Sequence, residues 1–238
     1  MDADDRPIGH VLTRRELLAL LGVGGFGLAT GSLPGQAPAV PGCVVRPAQT
    51  EGPYFVDERL NRRDIRTDPS DGSVRPGVPL ELAIVVSRLS GTACAPLAGA
   101  MVDVWQCDHL GVYSDVADPS FDAKGKKFLR GYQMSDAKGQ ARFTTVYPGW
   151  YRGRTVHIHF KIRSPAGQTP GYEFTSQLYF DDALTDRVFR SAPYAERGER
   201  STRNEADGIF RRGGSDLMLA LKESGRGYAG MFQVALTA

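Results

Sequence analysis

The chain has almost no net charge. Its 29 lysines and arginines against 27 aspartates and glutamates leave +2 over 238 residues. A polyanionic partner is met by a clear basic excess, so nucleic-acid binding is excluded as its main task. No apolar run reaches the roughly 20 residues that a bilayer-spanning helix needs. Cysteine is scarce: Cys43, Cys94 and Cys107 are the only three, spaced too widely for a zinc motif. What the chain has in quantity is glycine, 28, and proline, 15. Both suit short strands joined by turns better than a helical bundle. A hydrophobic content of 41% is ordinary for a packed core and rules out a largely disordered chain.

The one mildly apolar stretch, Leu17 to Ala29, follows Thr13-Arg14-Arg15-Glu16. Gly22, Gly24, Gly25 and Gly27 weaken its helicity. Paired arginines before such a segment resemble a twin-arginine export signal. On that reading residues 1–39 are removed, the mature chain has no stable membrane span, and the protein is periplasmic or secreted. An exported chain with three cysteines has material for one disulfide and one free thiol. All three pairings remain open; Cys43–Cys94 would tether the N-terminal arm to the domain.

Residues 40–78 are rich in proline, arginine and aspartate and read as an arm laid on the domain that follows, 79–238. Leu80, Leu82, Ile84 and Val86 alternate within Pro79–Leu89 in strand fashion. In Ala100–Cys107, Met101, Asp103 and Trp105 share one face and Val102 and Val104 the other. Gly139–Tyr147, Val156–Arg163, Thr175–Phe180 and Tyr228–Leu236 are further strand expectations, and Asp182–Arg190 and Ser215–Glu223 are expected as short helices. The pattern predicts an all-β, single-domain β-sandwich with long loops and a few short helices, preceded by the export signal.

Two of the four histidines stand in His157-Ile158-His159-Phe160. Strand residues two apart share a face, so both imidazoles point one way, able to take adjacent positions on one metal. A polar sheet face with two solvated histidines fits the spacing equally well. Around them lie Trp105…Asp108…Gly111-Val112-Tyr113 and Pro148-Gly149-Trp150-Tyr151…Arg154-Thr155-Val156-His157-Ile158-His159. With Glu51-Gly52-Pro53-Tyr54, Phe128-Leu129-Arg130-Gly131 and Gln177-Leu178-Tyr179-Phe180, in that order, the sequence from about Cys43 to Phe210 resembles the intradiol aromatic-ring dioxygenases.

The resemblance implies that Tyr113, Tyr151, His157 and His159 ligate a non-haem Fe(III), with Tyr151 also acting in catalysis. Phenolate oxygen is a hard anionic donor, suited to a trivalent ion. Arg154 matches an arginine that stabilises charge pushed onto the substrate ring, and Gln177 the amide that orients it. Tyr54 and Trp150 read as pocket walls or, equally, as core packing. The implied reaction cleaves a catechol-type ring between its two hydroxyl-bearing carbons with O2, giving a cis,cis-muconate-type dicarboxylate. Arg130, Arg152 and Arg163 are three candidates to meet a substrate carboxylate, and His109 reads as a rim or surface residue. Whether the chain forms a homo-oligomer stays open. Two rivals remain: a zinc hydrolase built on His157, His159 and a carboxylate such as Asp108, and an exported β-sandwich module that binds a small molecule without catalysis.

Overall fold

Along β1 (Pro79–Ser90), Leu80, Leu82, Ile84 and Val86 are buried while their neighbours are more exposed, so one face of the strand must be covered by apolar side chains. The computed structural model describes residues 43–169 and 171–237; the expected export signal lies outside them. β1 pairs in parallel with β11 (Gly227–Leu236) on one edge. Its other edge is shared, β7 (Gln140–Val146) pairing with the first half and β2 (Ala93–Pro96) with the second. β10 (Leu221–Ser224) adds to β11 as a hairpin. A second, antiparallel sheet runs β6 (Arg130–Met134), β3 (Met101–Trp105), β8 (His157–Arg163), β9 (Glu173–Tyr179). A two-residue hairpin, β4 (Ala117–Asp118) with β5 (Phe121–Asp122), stands apart.

The two sheets form the expected sandwich. Val102, Val104, Ile158, Phe160 and Ile162 of the second join Leu80, Leu82, Ile84, Phe143, Phe232 and Val234 of the first in one buried cluster. The opposite face of the second sheet would ordinarily meet water, yet β8 is buried on both sides over most of its length. The cover is the N-terminal arm. Gln49 N donates to Thr175 O at 3.0 Å, Tyr132 N to Leu60 O at 2.8 Å and Leu129 N to Ile65 O at 2.7 Å. The arm thus roofs the face on which His157 and His159 stand.

Of the three possible pairings, Cys43 and Cys94 form the disulfide, which ties the arm to β2, and Cys107 is a buried free thiol. The bridge closes a sequence separation of 51 residues, for which chain entropy sets a contribution of about 4 kcal/mol. Replacing Cys94 with serine should lower stability to urea by up to that amount. A loss well under about 1 kcal/mol would mean that the arm's hydrogen bonds hold it without the bridge.

Helix α1 (Asp182–Phe189) occurs where expected, capped by Asp181, whose side chain accepts from Leu184 N. The second expected helix, Ser215–Glu223, does not form. Gly214–Leu217 is a single 3-10 turn, and the chain then extends into β10. Leu217 and Leu219 are buried two residues apart while Ala220 and Lys222 are exposed, and Leu219 N donates to Tyr179 O at 2.8 Å. Period-two burial and a sheet-type partner outweigh helical propensity there.

Candidate metal centre

The register of the second sheet places Arg130, Trp105, His159 and Gln177 in one row across its four strands. His157 stands opposite Tyr179 in the next row on the same face. The indole of Trp105 stacks on the His159 ring at 4.9 Å with an 8° interplanar angle, which fixes the imidazole's plane. His157 Nδ1 lies 2.6 Å from the carbonyl oxygen of Thr155, so Nδ1 carries the proton and Nε2 presents a lone pair.

The two tyrosines come from loops, and glycine joins the loops. Asp108 closes the first: its Oδ1 accepts from Leu110 N at 2.9 Å and from Val112 N at 3.0 Å, while Gly111 N donates to Asp108 O at 2.9 Å. Gly111 has φ +80°, and a Cβ there would sit 2.4 Å from Trp150 O. Reciprocally, a Cβ on Gly149 would sit 2.3 Å from Asp108 O and 2.7 Å from His109 O. The backbones touch because neither glycine has a side chain. Tyr113 and Tyr151, each two residues beyond its glycine, are thereby brought together, their ring centroids 5.7 Å apart. Arg197 braces the second loop, donating to Trp150 O at 3.0 Å and lying over the Trp150 ring.

The four expected ligands converge. From His157 Nε2, the distances are 3.0 Å to His159 Nε2, 3.2 Å to the Tyr151 hydroxyl and 3.4 Å to the Tyr113 hydroxyl. Burial, reinforced by Arg154 at His157 and by His157 and Arg154 at His159, pushes both imidazoles well below their usual pKa. Neither therefore takes a second proton near neutrality. Burial, then the neighbouring Tyr151, drives the Tyr113 phenol well above its usual value, and burial pushes Tyr151 up to about 12 against the pull of Arg154. Left alone, these groups are four neutral donors crowded around one point, with His159 Nδ1 buried and unpartnered. A cation accepts the lone pairs of both Nε2 atoms and favours loss of the phenol protons. Two phenol oxygens with two imidazoles are the donor set of a hard, highly charged ion, and the residues fit one.

Arg154 is held on two sides. Its Nε donates to Asp207 Oδ2 at 2.9 Å, its Nη2 donates to Gln177 Oε1, and its Nη1 lies 3.5 Å from His157 Nε2. Gln177 is fixed in turn by donating Nε2 to Thr50 O at 3.0 Å. Tyr54 stacks on Tyr113 at 4.5 Å and donates its hydroxyl to Asp118 Oδ2 at 2.7 Å, which places it beside the phenols. Trp150 packs against the sandwich core and under Arg197, the packing alternative of its sequence reading. Among the carboxylate candidates, Arg130 is buried and donates to Ser114 Oγ and to the Tyr54 carbonyl, and Arg163 is paired with Asp57 and Asp103; Arg152 is exposed. His109 is half-buried. Asp108, the carboxylate that a zinc site would need, is spent on its own loop. Among the described residues, no three histidine, cysteine or acidic side chains are placed to hold one metal ion. Sequence reasoning gave no role to Asp207, to the Trp105 stack or to the Gly111–Gly149 contact.

A family model described as Dioxygenase matches residues 50–207. The chain is 32% identical over 152 residues to the protocatechuate 3,4-dioxygenase beta chain of Burkholderia cepacia, across 59% of this chain and 63% of that one. It is 31% identical over 155 residues to catechol 1,2-dioxygenase 2 of Acinetobacter lwoffii, across 57% and 51% respectively. The chain thus spans about half to three fifths of the length of these curated relatives. The solved structure of an intradiol ring-cleavage dioxygenase from Tetranychus urticae superposes with a TM-score of 0.71 at 30% identity, covering 81% of this chain and 94% of that one. A family model that takes in more than half of the sequence, and a solved relative matched over nearly its whole length, lead to one conclusion: the chain belongs to the intradiol ring-cleavage dioxygenase family.

Proposed function

We propose that this protein is a non-haem Fe(III) dioxygenase that opens a catechol-type ring between its two hydroxyl-bearing carbons with O2, yielding a cis,cis-muconate-type dicarboxylate. The observation that carries the reading is the convergence of two phenol oxygens and the His159 Nε2 within 3.4 Å of His157 Nε2. Tyr113, Tyr151, His157 and His159 would hold the iron. When bound, Fe(III) supplies the charge that keeps phenols ionised and makes a chelated catecholate open to direct attack by O2.

The chain's own residues do the rest. The Thr155 carbonyl and the Trp105 ring hold the two imidazoles in one tautomer and one plane. The Tyr151 hydroxyl, 3.2 Å from His157 Nε2, would be the base that takes a proton from an entering catechol. Arg154 directs Nη1 into the site, a fixed positive charge for electron density moved onto the ring. Tyr54, over Tyr113 and 6.2 Å from Tyr151, shields the phenols from water.

Purified protein should contain iron and look red to burgundy, through a phenolate-to-iron charge-transfer band. With 18O2 and catechol or a substituted catechol, both labelled atoms should enter a muconate-type diacid. A yellow semialdehyde, formed by cleavage outside the two hydroxyls, or a colourless zinc protein of full activity, would falsify the assignment. We also propose export by the twin-arginine route to the periplasm or beyond. The Cys43–Cys94 disulfide supports that reading, because such bridges persist in oxidising compartments. No helix among the described residues is long and apolar enough to cross a membrane.

A further inference from the structure

We infer that Asp207 is a positioning residue for the reaction: its carboxylate sets the orientation of the Arg154 guanidinium and thereby aims Nη1 at the reacting centre. The inference rests on the reading of the site given above. Asp207 is 1% exposed, and its carboxylate accepts four hydrogen bonds. Oδ2 takes Arg154 Nε at 2.9 Å and Thr155 N at 2.8 Å, while Oδ1 takes Ile209 N at 2.7 Å and Phe210 N at 3.1 Å. Three of these donors are backbone, so the carboxylate is anchored to the chain before the arginine is considered.

Its surroundings are fixed too. Thr155 Oγ1 donates to Asn204 Oδ1 at 2.6 Å, and Asn204 Nδ2 donates to Phe180 O at 2.9 Å. The loop carrying Asp207 is therefore pinned to the entry of β8, two residues before His157. A guanidinium is planar, and two acceptors on different edges determine its plane. Asp207 takes the Nε edge and Gln177 the Nη2 corner, leaving Nη1 to face His157 Nε2 at 3.5 Å. Gln177 is neutral; Asp207 alone combines an edge contact with the charge that balances a buried cation. Asparagine at 207 would keep the shape but turn one acceptor into a donor facing N–H groups.

The test is a double-mutant cycle on the iron-loaded protein, with Asp207→Asn, Arg154→Met and the pair. Asp207→Asn should lower kcat about 10- to 100-fold, as misplacement of a catalytic group by up to about 1 Å does, while iron content and the anaerobic dissociation constant for catechol stay within about threefold. In the Arg154→Met background, Asp207→Asn should lower kcat no further. A full additional loss in that background would overturn the inference, as would loss of iron and catechol binding in Asp207→Asn alone, the mark of a merely structural residue. Urea unfolding of the same four proteins reads the contact without turnover, and strictly additive destabilisation would also overturn it. If Asp207→Asn does not accumulate as folded protein, Arg154→Lys keeps the charge but has no Nε for Asp207. Its kcat should fall to within about threefold of Arg154→Met, and retention of most of the rate would sink the idea. A wild-type protein that holds no iron and opens no catechol would strike the proposed function itself; a wild type that turns over, with an additive cycle, strikes Asp207 alone.

Discussion

Replacing Tyr113 with phenylalanine should bleach or shift the visible band of the iron-loaded protein and cut turnover on the order of 100-fold or more, about 2.7 kcal/mol of transition-state stabilisation. The substitution removes one oxygen and keeps a ring that is fully buried and stacked on Tyr54. Packing is therefore preserved. The hydroxyl lies 3.4 Å from His157 Nε2, too long for a strong hydrogen bond, and also meets the Tyr151 phenol, so a purely structural tyrosine would lose about 1 kcal/mol of stability. A ligand role predicts colour and rate lost with stability kept, whereas a packing role predicts all three kept. Metal analysis, a visible spectrum and urea unfolding on the one variant decide between them. A Tyr113→Phe protein with native iron, colour and near-native rate would remove Tyr113 from the ligand set.

Much of the fold could be read from the residues because its strands alternate cleanly. Leu80, Leu82, Ile84 and Val86 mark one face of β1, and Ile158, Phe160 and Ile162 mark the core side of β8. That second pattern also put His157 and His159 on the opposite face, where they lie. Elements lacking a two-sided contrast escaped notice. β2, β4 and β5 are two to four residues long, too short for any period to show, and the leucines of 217–221 fit helix and strand alike until Tyr179 supplies a partner.

At the site, residues adjacent in sequence to a motif were legible and those brought in by tertiary contact were not. Asp207 lies 53 residues from Arg154, and nothing in the run Asn204-Glu205-Ala206-Asp207-Gly208 separates a buried acceptor from a loop aspartate. The arm was recognisable by composition, but its task of burying the outer face of a sheet depends on backbone hydrogen bonds at Gln49, Leu60 and Ile65, to which any side chain is compatible. Trp105 shows the same limit. Its face was deducible from alternation, whereas its stacking on His159 follows from the register of β3 against β8, which one strand's sequence does not contain.

Gly149→Ala should disrupt the metal site by adding a single carbon. The added Cβ would lie 2.3 Å from the Asp108 carbonyl oxygen and 2.7 Å from that of His109. Both obstacles are backbone, so no rotamer change relieves the contact, and the two loops must part. Asp108 cannot give way easily, because its side chain and its carbonyl already close the loop through Leu110, Val112 and Gly111. Overpacking of this kind costs about 1–3 kcal/mol, but the effect on the site should exceed the effect on stability. Tyr151 follows Gly149 by two residues, and displacing its loop moves one phenol away from the other and from His157 Nε2, now 3.2 Å distant. We expect weaker iron retention, a shifted charge-transfer band and a fall in kcat of about 10- to 100-fold. Gly91→Ala is the control: φ there is +58° with nothing within 4 Å of the new Cβ, so backbone strain should lower stability and leave the spectrum untouched. If Gly149→Ala binds iron with native affinity and an unchanged spectrum, the loop contact does not set the distance between the tyrosines, and the pairing of Gly111 with Gly149 needs another reason.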